Sequence, residues 1–225
     1  MDRGRQEGGG PTIHRVIQYG PLLDVVVVDL RSFRSANDAN RGPRGSVLGA
    51  EQASWLVEML ARSTARWKIV ACDQPLALVV PDGTVRQEGL ANGEGPLGRE
   101  RELATVLSEL QRRGVKNVVW LTADVHYAAA HHFDPARGSG AAFDPFWEFV
   151  AGPIHAGAFG PNPLDPTFGP EVRFQWTQPE GIKRMAPWDG LLSFGTVDVA
   201  HDHARVGLWG IEGGPRFTVE VAAEG

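Results

Sequence analysis

The chain has one cysteine, two tyrosines, three methionines and no excess of positive charge in 225 residues. With Cys72 alone, no disulfide can form within the chain, and cysteine usage leaves the redox compartment undetermined. The neighbours Ile69, Val70 and Ala71 predict a buried, inert thiol that packs as a small hydrophobe. A formal net charge of −5 gives no electrostatic footprint for nucleic acid or another polyanion. No apolar run approaches the roughly 18 residues that a membrane span needs. The opening MDRGRQEGGGP lacks the apolar h-region of a signal peptide, so localisation stays unassigned. Neither a G-x-S-x-G elbow nor a G-x-x-x-x-G-K-[ST] loop occurs, which argues against an α/β-hydrolase and a P-loop enzyme. The glycine-rich EGLANGEGPLG is therefore expected to be a shaped loop rather than a nucleotide cradle.

Hydrophobic residues make up 42% of the chain and charged residues 22%, ordinary values for a globular protein. DVVVVDL (24–30) reads as a strand buried on both faces. Gln52, Trp55, Leu56, Met59 and Leu60 recur at three- and four-residue spacing and predict a helix over about 49–63. Trp55 and Met59 read as core. WKIVAC (67–72) is a second strand, and LALVV (76–80) a further short run after Pro75. A helix from about Pro96 to Arg113 buries Leu103, Val106, Leu107 and Leu110, and Gly114 supplies a left-handed stop. NVVWLTAD is a third strand. This alternation predicts an α/β fold with parallel pairing and crossover helices. Glycine and proline then dominate residues 135–192, implying long shaped loops. Residues 193–225 read as an antiparallel β meander at an edge of the same sheet system. Residues 1–12 read as a flexible lead-in and 13–225 as one domain.

Asp29, Asp73 and Asp124 each follow an apolar strand candidate, and open α/β sheets bind ligands beyond the carboxyl ends of their strands. In VVWLTADVHYAA, strand alternation would turn Asp124 and His126 to one face, where they could hold a cation together. The competing reading makes Asp124 a turn cap and His126 a buried, hydrogen-bonded histidine. Asp73 fits a ligand, an orienting carboxylate or a turn former. Arg31 and Arg34 could clamp a phosphate, though pairing with Asp29 and Asp38 is favoured. His131 and His132 are adjacent, so at most one could join Asp124 and His126. His201-Asp202-His203 sits where a hairpin turn belongs.

Several segments in order carry a resemblance: D-x-R-x-[YF]-R at Asp29, Arg31, Phe33 and Arg34, L-G-x-x-Q-x-x-W-L at Leu48–Leu56, Trp67-Lys68, and A-D-V-H at Ala123–His126. Together with FWEFVAGPIHAG they resemble the carboxyl-terminal half of the alkaline phosphatase D (PhoD-like) family of metallophosphoesterases. The resemblance implies a partial α/β/β/α sandwich with the carboxyl-terminal meander. It implies hydrolysis of phosphate mono- or diesters by metal-activated water. Asp124 and His126 carry over as metal-site residues, and His126 and Arg31 as catalytic candidates. The implied cofactors are divalent or trivalent ions, Ca, Fe, Mn or Zn, and the implied partner is a phosphate ester substrate. The family's G-D and D-D-H-E segments do not occur here, and its G-D-V-H is A-D-V-H, which requires a negative φ at Ala123. The chain is thus expected to carry an incomplete site and to bind metal weakly alone. The alternative is a non-catalytic half-domain that pairs with a partner chain. A truncated sheet would leave an edge and a face uncovered, which predicts self-association or a partner half-domain.

Overall fold

A computed structural model describes residues 12–84, 86–139 and 141–225. The lead-in lies outside these residues except for Thr12. The strands are β1 (Arg15–Tyr19), β2 (Leu23–Val27), β3 (Trp67–Ala71), β4 (Pro81–Asp82), β5 (Arg86–Gln87), β6 (Val118–Thr122), β7 (Ala128–Phe133), β8 (Phe146–Val150), β9 (Ala158–Phe159), β10 (Pro170–Trp176), β11 (Arg184–Met185), β12 (Ser193–Val199), β13 (His203–Gly210) and β14 (Pro215–Ala222). Two helices, α1 (Ala50–Arg62) and α2 (Gly98–Arg112), cross between strands.

The main sheet runs β1-β2-β3-β6-β8-β7-β10. β2, β3, β6 and β8 pair in parallel, and β1, β7 and β10 close the two sides antiparallel. Side chains alternate between faces along each strand. Val26, Val70, Trp120, Phe133 and Phe146 share one core cluster with Leu56, Leu60, Leu103, Val106 and Leu110 of the helices. Trp67, Val119, Ala128, Ala130 and Phe149 share another with Ala204, Val206 and Leu208 of β13. The result is three layers: helices, mixed sheet, and the three-stranded antiparallel sheet β12-β13-β14.

One expectation changes here. The meander is not an edge of the main sheet but a separate layer stacked on its face. Its apolar residues, including Phe217, Val219 and Val221, point inward, so lying flat against Trp67 and Phe149 removes more apolar surface from water than edge pairing would. Across its parallel strands the main sheet is therefore covered on both faces, which leaves no open face there to drive self-association. The edge strands β1 and β10 remain. The short apolar run LALVV (76–80) forms a buried loop with isolated bridges at Leu78–Leu164 and Val79–Ala91. Pro75 removes an amide before it, and the amides of Leu76 and Val79 go to Glu148 and Pro163 instead.

Helix α2 ends in a Schellman arrangement. Gly114 has φ 65°, its amide donates to Gln111 O at 2.9 Å, and Val115 donates to Leu110 O at 3.0 Å. That turn feeds β6 directly. α1 starts at Gly49, φ 76°, and its first turn carries buried Gln52. The Gln52 side chain accepts the Asp29 amide at 2.8 Å and donates to Asp29 O at 2.9 Å. Sequence periodicity placed Gln52 in an apolar stripe; its task is to fix the carboxyl end of β2.

Candidate active site

The carboxyl ends of the four parallel strands open on one rim, and each expected strand-end acid sits there. Asp29 is buried and turns the chain: its Oδ1 accepts the amides of Arg31 and Ser32, both at 2.9 Å. Burial alone would raise its pKa, but hydrogen bonds from Ser32 and the Arg31 amide outweigh that and hold it below the ordinary carboxylate value. Asp73 accepts the Leu30 amide through Oδ1 at 2.8 Å, so it orients the loop after β2.

Asp124 and His126 do not lie on a strand. β6 ends at Thr122, and residues 124–127 form a bend. The Val125 amide donates to Ala123 O at 3.0 Å across Asp124, whose φ is 73°. That is a γ-turn with positive φ, a rare and strained form. Alternation across a strand therefore does not set the directions of these two side chains; the turn does. Ala123 itself is not among the positive-φ residues, so alanine is tolerated there, and Asp124 takes the unusual conformation instead. Asp124 is exposed and receives one long hydrogen bond, from Gln74 Nε2 at 3.4 Å.

His126 Nδ1 lies 2.6 Å from Gly157 O. A carbonyl only accepts, so Nδ1 carries a proton, and in the neutral ring the lone pair is on Nε2. The ring also packs on Phe159, centroids 4.4 Å apart. The loop after β8 thus aims His126, and the same loop carries exposed His155. Sequence reasoning passed over His155; its position just beyond a central strand was the available signal, but β8 had not been recognised as a strand.

Arg31 and Arg34 do not pair with Asp29 or Asp38. Arg31 Nη1 lies 2.6 Å from Glu88 Oε1, and Arg34 donates to Glu88 O at 3.0 Å. The acid that serves them lies 57 residues from Arg31 in sequence, beyond the reach of local inspection. Arg31's pKa is raised, first by its Glu88 hydrogen bond, then against desolvation by the charges of Glu88, Asp124 and Asp73. Asp73 and Asp124 are therefore near enough to act electrostatically on Arg31. Arg99 is wholly buried and donates to the carbonyls of Gln87, Glu88, Gly89, Ser35 and Ala36. It locks the Glu88 loop to the segment that carries Arg31.

The other candidates fall elsewhere. His131 is buried against Glu148, and His132 packs on Trp147. His201-Asp202-His203 forms the exposed turn between β12 and β13, with Ala200 donating to His203 O at 2.8 Å. Cys72 is free and buried, and burial pushes its thiol pKa up. Gly93-Glu94-Gly95-Pro96-Leu97-Gly98 does have G-x-G-x-x-G spacing and leads into α2. However, no strand of the main sheet precedes it, and the Gly93 amide is already on Asp165 Oδ2 at 2.6 Å. A phosphate cradle needs such amides free.

Among the described residues, no group of three or more His, Cys, Asp or Glu could hold a metal ion. Asp124 and His126 together are fewer donors than a stable site needs. No helix among the described residues is long and apolar enough to cross a membrane.

Comparison with known proteins agrees with the fold. The family model described as PhoD-like phosphatase matches residues 2–207. Alkaline phosphatase D of Bacillus subtilis (strain 168) is 32% identical over 163 residues, 66% of this chain and 27% of that protein. The solved structure titled "Structure of PhoD" superposes with a TM-score of 0.53 at 19% identity, covering 92% of this chain and 45% of that one. The chain thus spans less than half the length of either relative. On the family match and the ordered motifs at its strand ends, the chain belongs to the PhoD-like phosphatase family.

Proposed function

We propose that this chain forms one wall of a metal-dependent phosphoesterase site that hydrolyses phosphate mono- or diesters. The observation that carries the reading is the strained turn at Asp124, which holds an exposed carboxylate at φ 73° on the carboxyl rim of the sheet. Strain of this kind concentrates at functional sites. Asp124 and His126 are the metal-site candidates, Asp124 through its carboxylate and His126 through Nε2. A cation there, whether Ca, Fe, Mn or Zn, would acidify water and neutralise phosphoryl charge. The two donors do not make a complete ligand set.

The chain's own residues have definite tasks in this reading. Gly157 O fixes the His126 tautomer, which leaves Nε2 bare to take a proton or a ligand position. Arg31, half exposed at the rim, exchanges Glu88 for a phosphoryl oxygen and steadies the developing negative charge. Residues 13–225 act as one PhoD-like unit, with 135–192 shaping the rim loops.

The test is hydrolysis of a chromogenic phosphate ester with added Ca²⁺, Mn²⁺ or Fe. Activity that disappears in both Asp124→Ala and His126→Ala supports the reading. Activity that survives both substitutions refutes the assignment. A second reading, a non-catalytic half-domain completed by a partner or a second copy, rests on the open edges β1 and β10. It predicts no turnover by the chain alone, and association visible by light scattering.

A further inference from the structure

We infer that Glu148 is a positioning residue that holds the two carboxylate-bearing rim loops in register. It stands mid-strand on β8 and is fully buried. Its Oε1 accepts the Leu76 amide at 2.7 Å and the Thr122 hydroxyl at 3.1 Å. Its Oε2 lies 2.8 Å from His131 Nδ1, the residue directly opposite on β7. Leu76 follows Asp73 by three positions, and Thr122 precedes Asp124 by two. One carboxylate therefore ties the chain just after Asp73 to the chain just before the strained turn at Asp124.

The physical case rests on the unfavourable desolvation of that carboxylate. A fully buried carboxylate is tolerated only when donors engage it, and an apolar residue of similar volume would fill the same space more favourably. Here three donors from three different segments converge on it. His131 does not complete its own bonding: its Nε2 is buried with no partner. The network is thus not optimised for stability as a whole, whereas two of the three bonds to Glu148 tie down the segments that lead from Asp73 and to Asp124. With both of its oxygens engaged, the buried carboxylate rigidifies the segments it connects. Behind a metal site, such supporting groups affect affinity or activity by about 10–100-fold.

The experiment is amide hydrogen exchange by mass spectrometry on the full chain, with Glu148→Gln, Glu148→Ala and Thr122→Val. Glutamine retains an oxygen for Leu76 and Thr122, so Glu148→Gln should keep the parent's protection over residues 74–78 and 121–127. Glu148→Ala should exchange about tenfold faster or more at both segments, with α1, α2 and β12–β14 unchanged. Thr122→Val, which deletes one bond and remains foldable if Glu148→Ala is not, should loosen 121–127 and spare 74–78. Unchanged protection at both segments in Glu148→Ala, or at 121–127 in Thr122→Val, overturns the inference. So does a loss spread evenly over the whole chain. The functional consequence rests on the phosphoesterase reading: Mn²⁺-dependent hydrolysis should fall about 10–100-fold in Glu148→Ala and recover in Glu148→Gln. A parent chain with no Mn²⁺ response sinks that reading, while the exchange data still decide the role of Glu148.

Discussion

Replacing Asp124 by glycine should leave the protein as stable or more stable, while removing what the site needs. The residue sits at φ 73°, where an L side chain costs about 1–2 kcal/mol. Aspartate carries part of that cost more easily than most residues. Glycine abolishes the steric cost but loosens the unfolded chain, by about 0.4–1 kcal/mol. The hydrogen bond lost from Gln74, at 3.4 Å to an exposed carboxylate, contributes little. Alanine keeps the Cβ clash and gains nothing. Asp124→Gly should therefore exceed Asp124→Ala by about 1 kcal/mol, or about 2–4 °C in Tm for a chain of this length. Asn tolerates the same backbone, so Asp124→Asn should melt with the parent. Calorimetric melts of all three, with and without Mn²⁺, separate the effects. The parent alone should gain Tm on Mn²⁺ addition, through preferential binding to the folded state. If Asp124→Ala melts as high as Asp124→Gly, the turn is not strained. If Asp124→Asn gains Tm with Mn²⁺ as the parent does, the carboxylate is not a ligand.

Three further predictions follow from other groups. Glu100 is buried, and desolvation pushes its pKa from an ordinary 4.5 to about 7, with Asp165 adding to the shift against hydrogen bonds from Asn92. The folded state then holds a proton that the unfolded state has lost, so stability falls as pH rises from about 4.5 to 7, by roughly 3 kcal/mol in all. Urea melts of Glu100→Gln should flatten this slope and exceed the parent at pH 8; a parent stability that is flat across the window contradicts it. Arg99→Met should cost about 3 kcal/mol, because it strands buried carbonyls of two loops; an unchanged urea midpoint would refute the clamp. Arg31→Ala should cost at most about 1 kcal/mol, since its ion pair with Glu88 is partly exposed. Calorimetric titration with inorganic phosphate should nonetheless show weaker binding than the parent, and equal binding would remove Arg31 from the site.

Which parts of the fold were legible follows from how each segment is buried. α1 and α2 each bury one stripe, so three- and four-residue spacing reveals them, and Gly114 marks the end of α2. β12, β13 and β14 show one face to solvent and read correctly as a meander. β7 (AAAHHF) and β8 (FWEFV) are buried on both faces, so no polar alternation marks them as strands. Missing them concealed the side of the sheet beyond β6, the loop carrying His155, and the true place of the meander. The D-x-H pair was found, but by reasoning from strand geometry that the γ-turn replaces.

The residues that periodicity explained least are those that hold the site. Gln52, Arg99, His131 and Glu148 are polar side chains buried in α1, α2, β7 and β8. A buried polar group lowers stability unless its partners meet it, and for Gln52, Arg99 and Glu148 those partners are loop amides, carbonyls or a hydroxyl rather than regular secondary structure. Gln52 fixes the end of β2, Arg99 the loop bearing Glu88, and Glu148 the turns that lead from Asp73 and to Asp124. The rim loops have little periodicity and few ladder hydrogen bonds of their own, so their shape has to be imposed from the core. In this chain a polar residue inside an apolar pattern thus marks where the core grips a functional loop.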